Sequence, residues 1–360
     1  RQRQMCIRDS HEIESEAVFD LLRPFIDSAR SRLRVVLVSR TDPPVPLARL
    51  RLSGELAEIR AADLAFTRDE AATLLDGMAV GPLEGDHLSI LLEKTEGWPA
   101  GLRLAGIALR SVGNPEQFVS SFAGTNRFVT EYLLDEAVSR QPPELQQFLM
   151  ESAVLSRFSE ESCREILGDA EAASRLEEVR AASLFLIPLG GDGEWNRYHH
   201  LFAELLVYRL GRTDAERLHT LRLRASDWFE ARGDLVEAFA QAEQANANER
   251  MLQLLDRHGL TLITRGELAT TRRWLDRVDT EAPIAYPLAL CAEAWLRVLT
   301  ERASDPTSMI RRIEDSLTLA GPGYGTARQA QVLRQTRVLA AYAARYQHRW
   351  AAALELGSEA

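Results

Sequence analysis

Lys94 is the only lysine among 360 residues, and its neighbours rule out one chemistry at once. A loop that cradles nucleotide phosphates needs Gly-x-x-x-x-Gly-Lys-Ser/Thr, because the glycines let backbone N–H groups close around phosphates while the lysine reaches the terminal ones. Thr95 does follow Lys94, but Leu88 and Glu93 stand at the two glycine positions. Phosphate chemistry stays open elsewhere. Residues 33–39 read as a buried apolar strand ending at Ser39-Arg40-Thr41, and parallel strands gather ligand groups at their carboxyl ends. The planar guanidinium of Arg40 can bond two phosphate oxygens, although an arginine so placed is more often solvated or paired with a carboxylate. Gly97-Trp98-Pro99 can hold a rigid ring against an adenine face or simply break a helix, proline having a fixed φ and no N–H. His199 opens a helix beside Tyr198, as a phosphate contact or as a packed or capping residue. Adjacent side chains on a helix diverge, so His199 and His200 do not chelate a metal together.

Other chemistries are disfavoured. Serines and acids are abundant, yet none sits in a nucleophile elbow, so no Ser-His-Asp set is recoverable. Cys6, Cys163 and Cys291 are odd in number and far apart, which indicates neither a disulfide framework nor a zinc site and fits a reducing compartment. A net charge of −10 argues against nucleic-acid binding through bulk electrostatics by this segment. Arginine enrichment along the whole chain reads as genomic composition. No apolar run reaches the roughly 18–20 residues that span a bilayer, and the N-terminus lacks a signal-peptide core, so a cytoplasmic protein is expected.

The elements that must position these groups follow from patterning. Residues 1–10, RQRQMCIRDS, match neither strand nor helix and are expected to be disordered or a cloning or sequencing-adapter scar. Residues 11–66 read as the tail of an α/β domain, with a helix at 17–29, the strand at 33–39 and a second extended piece at 56–59. Thr67-Arg68-Asp69-Glu70 has capping-box spacing and opens a helical subdomain over 67–125. Over 126–212, several helices precede an apolar run, a Gly-rich turn at 190–193 and an aromatic run, which together describe a winged helix. A second capping-box spacing at Thr213 opens an all-helical remainder, 213–360, in which Trp228, Gly233, Ala238 and Ala242 fit the large-small packing of tetratricopeptide-like repeats. An irregular helical bundle is the rival reading. The fold class expected is mainly α, after a piece of an α/β core.

Six segments in one order carry a resemblance: SRTDPPVPLARLR, IRAADLAFTRDEAATLL, EKTEGWPAGLRLAGIALR, FVTEYLLDEAV, LFLIPLG and RYHHLFAELL. Over about residues 11–259 the chain resembles the large ATP-binding transcription regulators of the LuxR family. The resemblance implies a slow signalling ATPase built from a nucleotide-binding core, helical lid, winged helix, helical-repeat sensor and DNA-binding domain. It puts the core's sensor arginine on Arg40, the adenine-contacting element of the lid on Gly97 and Pro99, and the histidine that touches the β-phosphate of ADP on His199. Tyr198-His199-His200 stands where the family pattern has Met-His-Asp, so the aspartate's bond is in doubt. Further implications are ATP or ADP as the ligand of the intact parent, a small-molecule inducer or protein regulator on the sensor, and self-association in the ATP form. Promoter DNA and RNA polymerase would be met through parts outside this fragment, no membrane is involved, and binding by the fragment alone is expected to be weak or absent. The alternative is a stand-alone helical-repeat interaction module with a degenerate ATPase half.

Overall fold

The computed structural model describes residues 3–7, 13, 16–29, 33–39, 42–78, 83, 86–110, 115–124, 126–182, 184–190, 194–279, 285–300, 306–346 and 348–358. The chain divides into two compact units, residues 1–218 and 219–360. Helices dominate both, and the fold is mainly α.

The first unit begins with β1 (Arg3–Ile7), α1 (Glu16–Ala29) and β2 (Leu33–Leu37). The strands run parallel, with Arg3 opposite Leu33 and Ile7 opposite Leu37. Parallel neighbours need a crossover, which α1 supplies. Two expectations are corrected here. Residues 3–7 lack strand patterning, yet they form a strand because β2 offers them a ladder; backbone groups pair whether or not side chains alternate. Nor is the second strand buried: Val36 is 36% and Val38 48% exposed, since β1 is its one strand neighbour among the described residues. Arg40 lies outside the described residues.

A short helix, α2 (Leu47–Leu52), follows Pro46. The piece at 56–59, expected to be extended, joins no sheet among the described residues. Side chains hold it instead, with Glu58 accepting from Arg51 at 2.8 Å and from Arg60 at 2.5 Å. The lid helices are α3 (Arg68–Gly77), α4 (His87–Thr95) and α5 (Pro99–Leu109), then α6 (Pro115–Ser121) and α7 (Arg127–Leu133). The capping box at α3 is formed: the Thr67 N–H donates to Glu70 at 2.9 Å, and the Glu70 N–H donates to the Thr67 hydroxyl at 3.4 Å. Lys94 ends far from any phosphate role, donating to the carbonyls of Ser120 (2.7 Å) and Phe122 (2.9 Å) where α6 stops.

A wide π turn at Leu134–Val138 leads to α8 (Pro143–Ser152), α9 (Glu160–Ser162), α10 (Ala172–Ala181), the strands β3 (Leu186–Leu189) and β4 (Trp195–Tyr198), and α11 (His200–Thr213). The hairpin is antiparallel, Leu186 facing Tyr198, and Phe158 exchanges both backbone bonds with Asn196 at 2.8 Å. Helices followed by one hairpin make a winged helix. Phe158, Tyr198 and Phe202 fill it, with ring centroids 4.9 and 5.6 Å apart, and Leu149, Leu201 and Leu205 are buried around them. Burying each such side chain contributes about 1.5–3 kcal/mol.

The winged helix approaches the lid closely at Gly124, among other places. A Cβ on Gly124 would lie 1.9 Å from the Leu201 carbonyl oxygen, so no larger residue fits, and the Gly124 N–H donates to Glu204 at 2.6 Å.

The second capping box does not form, and a single side-chain cap sits one residue later than the spacing predicts. Asp214 accepts the Arg217 N–H at 2.9 Å, while the Thr213 hydroxyl turns back to the Arg209 carbonyl at 3.0 Å within α11. A helix-end threonine bonds its own preceding turn readily, leaving the cap to the next oxygen-bearing side chain. The first compact unit runs on to Leu218. Arg217, at the start of α12 (Ala215–Ala231), bonds Glu151 at 2.6 Å and the Leu167 carbonyl at 2.8 Å.

The second unit continues with α13 (Leu235–Gln244), α14 (Asn248–Thr264), α15 (Leu268–Leu275), α16 (Pro287–Thr300), α17 (Thr307–Ala320), α18 (Thr326–Tyr346) and α19 (Trp350–Ser358). Neighbouring helices pack on one another in sequence order, and α16 also packs on α14 and α18. Phe239 and Trp274 stack at 4.4 Å, and Ala238 and Ala242 are fully buried. The buried Asp256 carboxylate accepts the Leu288 N–H (2.9 Å) at the start of α16 and the Tyr324 hydroxyl (2.8 Å). Among the described residues, no helix is long and apolar enough to cross a membrane.

Candidate functional site: a lid turn against the winged helix

Three of the four residues singled out in the sequence, Gly97, Pro99 and His199, come together; the fourth, Arg40, is outside the described residues. The turn between α4 and α5 arises because two successive residues take left-handed backbone, Glu96 at φ 50° and Gly97 at φ 69°. Gly97 is required there: its own carbonyl accepts the Phe66 N–H at 2.8 Å, and a Cβ would lie 2.9 Å from the Phe66 oxygen. Pro99 then starts α5 at a position where its missing N–H costs nothing. The Trp98 ring, which could have served an adenine, is engaged within the protein. It packs against Phe185 (5.4 Å), His199 (5.6 Å) and Tyr132 (5.8 Å).

His199 sits at the cap position of α11 without a side-chain cap bond, so of the packed-or-capping alternative only packing holds: the ring is buried against Trp98 and Phe185. Its backbone N–H donates to the Phe185 carbonyl at 2.8 Å, and Phe185 takes φ 54° to present that oxygen. Its Nε2 lies 3.0 Å from the Thr95 carbonyl oxygen. A carbonyl can only accept, so Nε2 carries the proton and Nδ1 of the neutral ring is a bare acceptor. That Nδ1 is buried and has no hydrogen-bond partner among the described residues. Burial lowers the ring's pKa below the ordinary histidine value, against the raising influence of Glu96 and of the Thr95 carbonyl.

The cap of α11 comes from the lid. The Glu96 carboxylate accepts the His200 N–H at 2.9 Å and holds Arg197 by two bonds, 2.8 and 2.7 Å, so it grips the residues on both sides of His199. Burial pushes the Glu96 carboxyl up, but the bonds from Arg197 and from the His200 backbone outweigh it and bring it down to about 2. His200 turns away to Glu204 at 3.0 Å, and that bond raises its pKa. The two histidines therefore diverge. Among the described residues no group of His, Cys, Asp or Glu could hold a metal ion.

Sequence reasoning missed Thr95, Glu96, Phe185 and Arg197. Glu96 and Arg197 are 101 residues apart, and nothing local marks them as partners. The one available signal was adjacency: Glu96 precedes Gly97, and Arg197 lies two residues before His199.

The arrangement ties the turn after α4 to the winged helix and leaves one unfilled hydrogen-bond position, the buried Nδ1 of His199. Comparison with known proteins shows what the chain is similar to. The MalT winged helix domain matches residues 134–218. The chain is 30% identical to "Serine/threonine-protein kinase PknK" of Mycobacterium tuberculosis (strain ATCC 25618 / H37Rv) over 94% of its own length and 30% of that protein. It is also 30% identical to "HTH-type transcriptional regulator MalT" of Serratia proteamaculans (strain 568) over 87% of the chain and 35% of that protein. For MalT of Klebsiella pneumoniae subsp. pneumoniae the identity is 27%, over 88% of the chain and 35% of the relative. The chain thus spans about a third of the length of the curated relatives it matches.

Proposed function

Since the chain is MalT-like along most of its length and carries the MalT winged helix domain, we propose that it is a segment of an ATP-dependent, inducer-responsive LuxR-type transcriptional activator. In this reading the lid and winged helix close on a bound nucleotide, and the second unit is a tetratricopeptide-like sensor that takes a small-molecule inducer or a protein regulator. The intact protein would work in the cytoplasm and self-associate in the ATP form. Promoter DNA and RNA polymerase would be contacted by other parts of it. The inducer can drive such a switch only by binding the two states with different affinity.

The observation that carries the nucleotide reading is the buried, unpartnered Nδ1 of His199, facing no protein donor while every other polar atom of the histidine is satisfied. Buried polar atoms are paired as a rule, and an exception asks for an explanation, here given as a ligand. Gly97 and Pro99 would shape the adenine side, His199 would meet a phosphate, and Arg40 would report the terminal phosphate. The nucleotide supplies negative charge whose extent distinguishes the two states. Thermal unfolding of the intact protein in millimolar ADP tests this: the midpoint rises in the wild type and does not in the variant with glutamine in place of His199. No rise in either leaves the second reading, a helical-repeat interaction module. The match to PknK, whose name is that of a kinase rather than a transcription regulator, shows that a similar segment also occurs within a protein of another kind.

A further inference from the structure

Away from the lid turn, the winged helix holds a cavity of about 560 Å³ between α8, the turn at 167–169, α10 and the first turn of α12. None of Gly97, Pro99 and His199 lines it. Small-molecule sites measure about 300–1,000 Å³ and pair an apolar surface with a few polar groups that select the ligand. Here the apolar surface is Phe148 and Leu167, both buried side chains of the winged-helix core. The polar lining has three carboxylates, Glu144, Glu151 and Asp169, and two guanidinium groups, Arg175 and Arg217.

Both cations are already matched. The Glu151 carboxylate accepts two bonds from Arg217, at 3.0 and 2.6 Å, and Arg217 also donates to the Leu167 carbonyl at 2.8 Å. Arg175 pairs with Glu171 at 3.2 Å and Glu178 at 3.6 Å, neither of which lines the cavity. Glu144 and Asp169 have no basic partner among the described residues. Asp169 is nevertheless fixed in place, because it accepts the Glu171 N–H at 2.8 Å. The unmatched charge of the cavity is therefore negative, and it borders apolar side chains. A bare metal ion fits this poorly: among the described residues no group of three His, Cys, Asp or Glu could hold one, and Phe148 and Leu167 offer a metal nothing. We propose that the cavity binds a small organic cation, an alkyl amine or diamine. Its ammonium group meets Glu144 and Asp169 through charge-assisted hydrogen bonds, and its carbon chain lies on Phe148 and Leu167.

The test is NMR titration of the 15N-labelled full chain with cadaverine, a five-carbon diamine, at constant ionic strength. Pentanol matches its carbon chain without the charge, and magnesium chloride supplies charge without the chain. The expected result is saturable movement of backbone signals at residues 144–151 and 167–169 with cadaverine and with neither control. The double variant Glu144→Gln, Asp169→Asn keeps the hydrogen-bonding oxygens and removes both charges, and it should weaken cadaverine binding by about tenfold or more. An unchanged melting midpoint shows that the variant still folds. Equal movement with magnesium would reduce the cavity to an acidic surface and overturn the proposal. Unchanged affinity in the double variant, or pentanol bound as tightly as cadaverine, would overturn it as well. The nucleotide reading stands or falls separately, since its residues do not line this cavity.

Discussion

Replacing Glu96 by glutamine keeps the shape of the lid turn and removes its charge. The carboxylate makes two bonds to Arg197 and one to the His200 N–H, all between 2.7 and 2.9 Å. The two side chains are 24% and 33% exposed, so the pair lies between a surface ion pair, worth about 0–1 kcal/mol, and a buried one, whose breaking costs about 3–5 kcal/mol. A carboxyl brought from 4.5 to about 2 sets a ceiling of roughly 3 kcal/mol, and solvent screening of a partly exposed pair reduces it to about 2. In a unit of this size that lowers the midpoint by roughly 4–8 °C at neutral pH. The folded pKa is depressed, so the contribution is complete above the unfolded value of 4.5 and disappears as pH falls through about 2. The gap between wild type and Glu96→Gln should therefore close across that window. Calorimetry at several pH values on Glu96→Gln, Arg197→Ala and the double variant measures it. A difference under about 0.5 kcal/mol at pH 7, or strict additivity in the cycle, would refute the reasoning.

Four further outcomes are expected. Gly97→Ala combines a left-handed φ of 69° with a Cβ placed 2.9 Å from the Phe66 oxygen, and should destabilise by about 2–4 kcal/mol in urea unfolding. Asp256→Ala strands the Leu288 N–H and the Tyr324 hydroxyl, and should cost about 3 kcal/mol and speed limited proteolysis of the second unit. Because burial raises the Asp256 pKa, ionising it opposes folding as pH rises through that raised value, and Asp256→Asn should flatten this part of the pH–stability curve. Lys94→Met removes a cation from two carbonyls at the end of α6 and should cost about 1 kcal/mol by thermal melting.

Much of the architecture was legible because it depends on short-range rules. The Thr67–Glu70 capping box, the Gly97-Trp98-Pro99 break and the hairpin after a run of helices each need only a few neighbouring residues to specify them. Errors arose where two local solutions compete or where a partner is distant. Thr213 and Asp214 both carry capping oxygens, and the threonine turned back into its own helix. Residues 3–7 became a strand because β2 was there to pair with them.

By itself the sequence determined that no phosphate loop of the Gly-Lys-Thr kind lies in these residues, that the fold is mainly helical with a winged helix, and that Gly97, Pro99 and His199 are worth singling out. Only tertiary structure decided that those three meet, that Thr95 assigns the proton of His199 to Nε2, and that Glu96 clamps both flanks of the histidine. Local order follows from backbone sterics and nearest neighbours, which a linear string records. A hydrogen bond between residues about a hundred positions apart depends on how whole elements pack, and that is written in no single stretch of the chain.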